Sequence, residues 1–135
     1  SVPDGAGRGP AAGLLGAAAA YPERPLLVLA CDLPEVPAAL LAELVGAAGA
    51  DWSVPRWGGR LEPLCALYAP EALSALARRA ASGRFALHEL ADEPGLAVSF
   101  LEGPALERFG APAEIFLNLN TPEDLTRWRQ RPVAL

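Results

Sequence analysis

The chain has 135 residues, 52% of them hydrophobic and 20% charged, which describes one globular domain and excludes a disordered chain. Acidic residues outnumber basic ones by 16 to 11, for a net charge of -5, which argues against a broad nucleic-acid footprint. All basic residues are arginine, so any phosphate contact from this chain uses Arg side chains or backbone N–H groups.

Residues 1–9 hold three glycines and a proline and read as a loop. Residues 10–20 follow as a small, apolar helix with Pro10 in its first turn, packed tightly. Gly9 and Gly13 allow a close backbone approach, to a neighbouring helix or to an anion at a glycine-rich helix start.

The informative stretch is Leu26-Leu27-Val28-Leu29-Ala30-Cys31-Asp32-Leu33-Pro34. Its apolar run between prolines predicts a strand buried on both faces of a parallel sheet. Asp32 then stands at the carboxyl end, where open α/β sheets bind ligands. It serves there as a turn cap or as a ligand to a cation.

Leu40, Leu41, Leu44 and Val45 give an amphipathic helix over Pro37–Ala48. Two strands are predicted next, Trp52–Pro55 and Leu61–Tyr68. They are joined by Arg56-Trp57-Gly58-Gly59-Arg60, a solvated hairpin tip or the lip of a pocket. Pro70–Ser82 reads as a helix with Leu73, Leu76, Ala77 and Ala80 inward and Arg78 and Arg79 outward, stopped by Gly83. Phe85–Asp92 reads as a short helix in which His88 is a surface or partner-satisfied residue rather than a catalyst. Leu96–Leu101 reads as a strand, and Pro104–Gly110 as a turn or short helix. Ala113–Asn120 alternates as a strand that presents Phe116, Asn118 and Asn120 on one face. Thr121-Pro122-Glu123-Asp124 then starts a helix with Leu125 and Trp128 on its buried side.

Cys31 and Cys65 lie far apart in apolar stretches and read as buried thiols in a reducing, cytoplasmic compartment. A zinc site is not expected, and neither a membrane helix nor a signal peptide is read in the sequence. No repeat or linker divides the chain.

Four segments carry a resemblance: Asp4…Gly9-Pro10-Ala11-Ala12-Gly13-Leu14, Leu29-Ala30-Cys31-Asp32-Leu33-Pro34, Arg60-Leu61-Glu62-Pro63-Leu64-Cys65-Ala66-Leu67-Tyr68 and Phe116-Leu117-Asn118-Leu119-Asn120-Thr121-Pro122-Glu123-Asp124-Leu125. In this order the chain resembles the molybdenum cofactor guanylyltransferase family. The resemblance implies a three-layer, Rossmann-like α/β nucleotidyltransferase fold, a mostly parallel sheet with helices on both faces. It implies Mg-dependent transfer of GMP from GTP to molybdopterin, with release of pyrophosphate. Asp32 and Asn120 would hold Mg2+, with Asn118 beside them. Asp4, Gly9, Gly13 and Asp32 would line the nucleotide. Two arginines and a tryptophan within five residues make Arg56 and Arg60, with Glu62, the expected acceptor side. GTP and molybdopterin would be the substrates, with other molybdenum-cofactor biosynthesis proteins and molybdoenzymes as partners, and no nucleic acid or membrane.

Family members begin with a strand and the loop Leu-Ala-Gly-Gly-x-Ser-x-Arg-Met-Gly-x-Asp-Lys, which these 135 residues do not contain. The expectation is therefore an N-terminally incomplete domain over residues 1–135, inactive by itself. The rival readings are a sister enzyme, transferring CMP to the same pterin or a nucleotide to a sugar phosphate, and an inactive nucleotide-binding module.

Overall fold

The computed structural model describes residues 10–30, 33–47 and 49–117. The elements run α1 (Pro10–Ala20), β1 (Leu26–Leu29), α2 (Ala38–Val45), β2 (Trp52–Trp57), β3 (Arg60–Leu61), β4 (Cys65–Tyr68), α3 (Pro70–Ala81), a 3-10 helix (Leu87–Asp92), β5 (Val98–Leu101), α4 (Pro104–Glu107) and α5 (Pro112–Ile115).

The main sheet is ordered β1-β4-β2-β5, with the short β3 on the far part of β2. β4 is antiparallel to both β1 and β2, and β5 is parallel to β2. β1, β2 and β5 therefore share one direction, but β4 runs between β1 and β2 against them and only β2 and β5 pair in parallel, so among the described residues the sheet is mixed and not the mostly parallel one expected. Register pairs Leu29 with Cys65 and Pro55 with Leu101, so the carboxyl ends of β1, β2 and β5 lie together at the end where β4 begins.

Strand alternation divides the core between two faces. On one face Trp52, Val54, Ala66 and Tyr68 pack with Ala11 and Leu14 of α1, with Ala72, Leu73, Ala75 and Leu76 of α3, and with Leu87 and Leu90. The opposite face carries Cys65 and Leu101, which pack with Leu33, with Leu40 and Leu44 of α2, and with Leu106, Ile115 and Phe116. Helices thus cover both faces, giving the three layers the resemblance implies.

Several predicted boundaries and environments move. β1 is buried on one face only: Leu27 and Leu29 are 43% and 42% exposed. Its described partner is the antiparallel β4, and α2 lies over β4 and β2, which leaves those two leucines partly open. Arg56 and Trp57 belong to β2 and not to a loop. Gly58 and Gly59, with φ of 55° and 74°, form the turn alone, a two-residue hairpin of the kind that needs positive φ at both centres. The predicted strand Leu61–Tyr68 is broken at Glu62, because Pro63 has no N–H to give a ladder and instead sits second in a turn closed by Cys65 N–H onto the Glu62 carbonyl, 3.0 Å.

In α3 the predicted faces hold for Leu73 and Leu76, but Ala77 is exposed. Arg79, predicted to point away, instead folds over the 3-10 helix and donates to Glu93 at 2.8 Å and Glu89 at 2.7 Å. Ala113–Ile115 belongs to a helix, not to a strand. Pro112 at the first helical position, followed by Ala and Glu, favours that outcome. Ile115 and Phe116, consecutive in sequence, are both buried, which a strand with one covered face does not do. Residues 118–120, the remainder of that predicted strand, and the helix predicted from Thr121 lie outside the described residues.

Candidate functional site

The carboxyl ends of β1, β2 and β5 lie together. Asp32 follows β1 in sequence by three residues, and Asn118 follows Phe116 by two. Asp4, Gly9, Asp32, Asn118 and Asn120 all lie outside the described residues. Two residues that border them are described and packed in one cluster, Leu33 after Asp32 and Phe116 before Asn118. Among the described residues, no group of three or more His, Cys, Asp or Glu side chains is placed to hold a metal.

Gly13 is described, and its surroundings decide one question the sequence left open. A Cβ built there meets nothing within 4 Å, so close helix packing does not require glycine at that position. It lies instead on an apolar groove of about 310 Å³ between α1 and β1, lined by Pro10, Leu14, Ala17, Leu26, Val28 and Leu64.

The hairpin carries Arg56 and Arg60, expected on the acceptor side, and the structure gives the two arginines different tasks. Arg56 makes a two-pronged ion pair with Glu102, Nε to Oε1 at 3.0 Å and a terminal nitrogen to Oε2 at 2.7 Å. Its guanidinium also lies 3.8 Å from the centre of the Phe100 ring. The hydrogen bonds to Glu102 raise the Arg56 pKa, and the same bonds lower that of Glu102. Arg56 is therefore bound into the fold. Arg60 is exposed, with its guanidinium 5.6 Å above the Trp57 ring. Sequence reasoning missed Glu102, because its partner is 46 positions away and no local pattern announces the pair.

Glu62 is held from several directions. Its N–H donates to the Pro55 carbonyl at 3.0 Å, and its own carbonyl accepts from Cys65. Tyr68 Oη donates to the Pro63 carbonyl at 2.6 Å, fixing the same turn from beneath. The half-buried Glu62 carboxylate accepts the Trp57 indole N–H at 2.8 Å. Burial pushes its pKa above the ordinary 4.5, against the opposing pull of that hydrogen bond and of the Arg60 charge. The neighbouring Cys65 thiol is pushed up to about 12, by burial first and by the Glu62 charge second, so it is a thiol and not a nucleophile at neutral pH.

Trp57 in turn stacks on Phe116, rings 6.1 Å apart and 18° from parallel. Beside this stack a cleft of about 330 Å³ opens between the hairpin and the end of β5, lined by Arg56, Trp57, Gly58, Glu102, Gly103 and Pro112. The hairpin is thus the lip of a pocket, the second of the two readings its sequence allowed.

Known proteins are similar to this chain in sequence and fold. The family model for the MobA-like NTP transferase domain matches residues 2–94. A probable molybdenum cofactor guanylyltransferase of Chloroflexus aggregans is 36% identical over 129 residues, covering 88% of this chain and 58% of its own length. A molybdenum cofactor guanylyltransferase of Cereibacter sphaeroides is 36% identical over 126 residues, covering 93% and 60%. The crystal structure of molybdopterin-guanine dinucleotide biosynthesis protein A from Archaeoglobus fulgidus superposes with a TM-score of 0.72 at 30% identity, over 88% of this chain and 60% of that one. A protein of Aquifex aeolicus, 22% identical with a TM-score of 0.63, shares the fold. The chain spans about six tenths of the length of the curated relatives it matches. A family match over most of the sequence, together with a three-layer sheet that superposes on a solved relative, makes the chain a member of the MobA-like NTP transferase domain family.

Proposed function

We propose that this domain serves transfer of GMP from GTP to molybdopterin. The observation that carries the reading is the match to the MobA-like domain over residues 2–94, joined to relatives named molybdenum cofactor guanylyltransferase. In the proposed reaction the terminal phosphate oxygen of molybdopterin bonds to the α-phosphorus of GTP. The bond from that phosphorus to the bridging oxygen breaks, and pyrophosphate leaves.

Such a transfer asks a protein mainly for positioning and for neutralisation of charge. Asp32 and Asn120 would hold Mg2+, with Asn118 beside them, since a carboxylate and a carboxamide oxygen are the hard donors that ion prefers. Bound there, Mg2+ would supply neutralisation of phosphate charge. Asp4, Gly9 and Gly13 would line the nucleotide, and the open space over Gly13 supports that reading. Arg60 and Glu62 would face the pterin side, and Arg56 would hold the hairpin through Glu102. The cytoplasm is the proposed compartment, with other molybdenum-cofactor biosynthesis proteins and molybdoenzymes as proposed partners. Among the described residues no helix is long and apolar enough to cross a membrane.

The test incubates the purified full-length protein, of which residues 1–135 are expected to be one part, with molybdopterin, Mg2+ and either GTP or CTP, and measures the pterin dinucleotide and pyrophosphate formed. Guanine dinucleotide with GTP, lost in Asp32→Ala, is the expected result. Product with CTP in preference to GTP would move the assignment to cytidylyl transfer, and normal turnover by Asp32→Ala would remove that residue from the site.

A further inference from the structure

The cleft between the hairpin and the end of β5 is also lined by Leu106 and Glu107 of α4. Leu106, with Trp57 and Pro112, gives it apolar walls. Glu107 is exposed, and among the described residues no hydrogen bond or ion pair reaches its carboxylate. The two arginines at hand are committed elsewhere. Arg56 is held in its two-pronged pair by Glu102. Arg108 pairs with Glu43 and lies 4.5 Å from the centre of the Phe109 ring.

The wall of the cleft therefore carries a matched arginine and glutamate, and one glutamate left over. That surplus is negative. It repels a phosphate and favours a neutral ring that presents N–H donors. The volume of about 330 Å³ stands at the small end of ligand sites and suits a fused bicyclic ring.

The chemistry of the ring follows from the carboxylate. Two oxygens side by side accept best from two N–H donors side by side. The 2-amino-4-oxopyrimidine edge has that pair, its amino group and the adjacent ring N–H. The pterin of molybdopterin and the guanine of GTP both carry it. The cleft lies on the face of the sheet covered by α2, α4 and α5, whereas Gly13 and its groove lie on the α1 face. With the nucleotide beside Gly13, the ring that remains for the cleft is the pterin.

We propose that Glu107 reads the pterin of the acceptor, accepting from its 2-amino group and the neighbouring ring N–H, while Trp57, Leu106 and Pro112 enclose the bicycle. The proposal rests on the guanylyl-transfer reading for the identity of the acceptor, and adds the residue that recognises its ring. The acceptor's phosphate stays out of the cleft, where no cation is free to meet it.

The experiment uses the full-length protein and two probes, pterin and lumazine, the second being the same bicycle with a carbonyl in place of the amino group. Binding is read from the change in pteridine fluorescence, so it needs no turnover. A hydrogen bond to a charged group is worth roughly ten- to a hundredfold in affinity, so wild type is expected to bind pterin on the order of tenfold or more tightly than lumazine. Glu107→Gln keeps the shape but leaves one acceptor where the edge needs two. It is expected to weaken pterin on the order of tenfold, to erase the preference over lumazine, and to leave the Kd for GTP unchanged. Equal affinity of wild type for the two probes, no binding of pterin, or a preference that survives Glu107→Gln overturns the proposal. So does a loss of GTP affinity that matches the loss for pterin, because the edge being read would then be guanine's. A protein that prefers pterin in this way yet makes no dinucleotide from GTP and molybdopterin would count against the guanylyl-transfer reading and leave the pterin site standing.

Discussion

At Gly13 the sequence allowed two explanations, close packing against a neighbouring helix or close approach of a ligand. The open space over its Cα removes the first and leaves the second as the proposal made above. If packing demanded the glycine, Gly13→Ala would meet a neighbour; here it meets none within 4 Å. In a helix interior alanine is favoured over glycine by about 0.8–1 kcal/mol. Gly13→Ala is therefore expected to raise stability to urea by up to about 1 kcal/mol while raising KM for GTP. A variant that is stabilised and binds GTP as tightly as wild type would take Gly13 out of the nucleotide site. Arg56 and Arg60 make a similar contrast. They are separated by three residues in sequence, yet one is held by Glu102 and Phe100 and the other lies open over Trp57.

The β2–β3 hairpin shows how an element can be legible while its use is not. Gly58-Gly59 between apolar runs announces a hairpin, and the register Trp57↔Arg60 is the one a two-residue turn imposes. That register sets Trp57 toward Glu62 and Phe116, and Arg56 toward Glu102. A residue with a Cβ in the left-handed region costs about 1–2 kcal/mol, and Asn tolerates it better than Ala. Gly59→Ala, at φ 74°, is expected to lower stability by about that amount and Gly59→Asn by less, as measured by urea unfolding. Equal losses in the two variants would show that space over the turn, and not backbone strain, decides the cost.

At the scale of the whole molecule, the sheet separates two apolar clusters, one under α1, α3 and the 3-10 helix and the other under α2, α4 and α5. The second cluster holds both Leu33 and Phe116, so it ties the chain leaving β1 to the chain leaving α5. Leu76 belongs to the first cluster and Leu106 to the second, and both are essentially buried, 0% and 1% exposed. Truncating either to Ala is expected to cost about 2–5 kcal/mol in urea unfolding. Since the two share no partner, the double variant should lose the sum within about 0.5 kcal/mol. A clear departure from additivity would mean that the sheet transmits strain between its faces and that the clusters form one core.

What the sequence determined by itself is local. Helical spacing of leucines identified α2 and α3, the apolar run between prolines identified β1, and paired glycines identified the hairpin, because each signal is complete within a few residues. The family was legible for the same reason, since four short segments in order carry it. Tertiary structure alone decided what depends on partners distant in the chain. Their own apolarity predicts Leu27 and Leu29 to be buried, but exposure is set by what lies over a strand, and α2 lies over its neighbours. Arg79 was read as outward from helical phase, yet Glu89 and Glu93 draw it inward from the next element. Ala113–Phe116 alternates well enough to pass for a strand, and Pro112 together with the Trp57 ring makes it a helix end. Residue spacing fixes which way a side chain can point on its own element, while the charge or ring it meets there is supplied by topology, which short-range pattern does not encode.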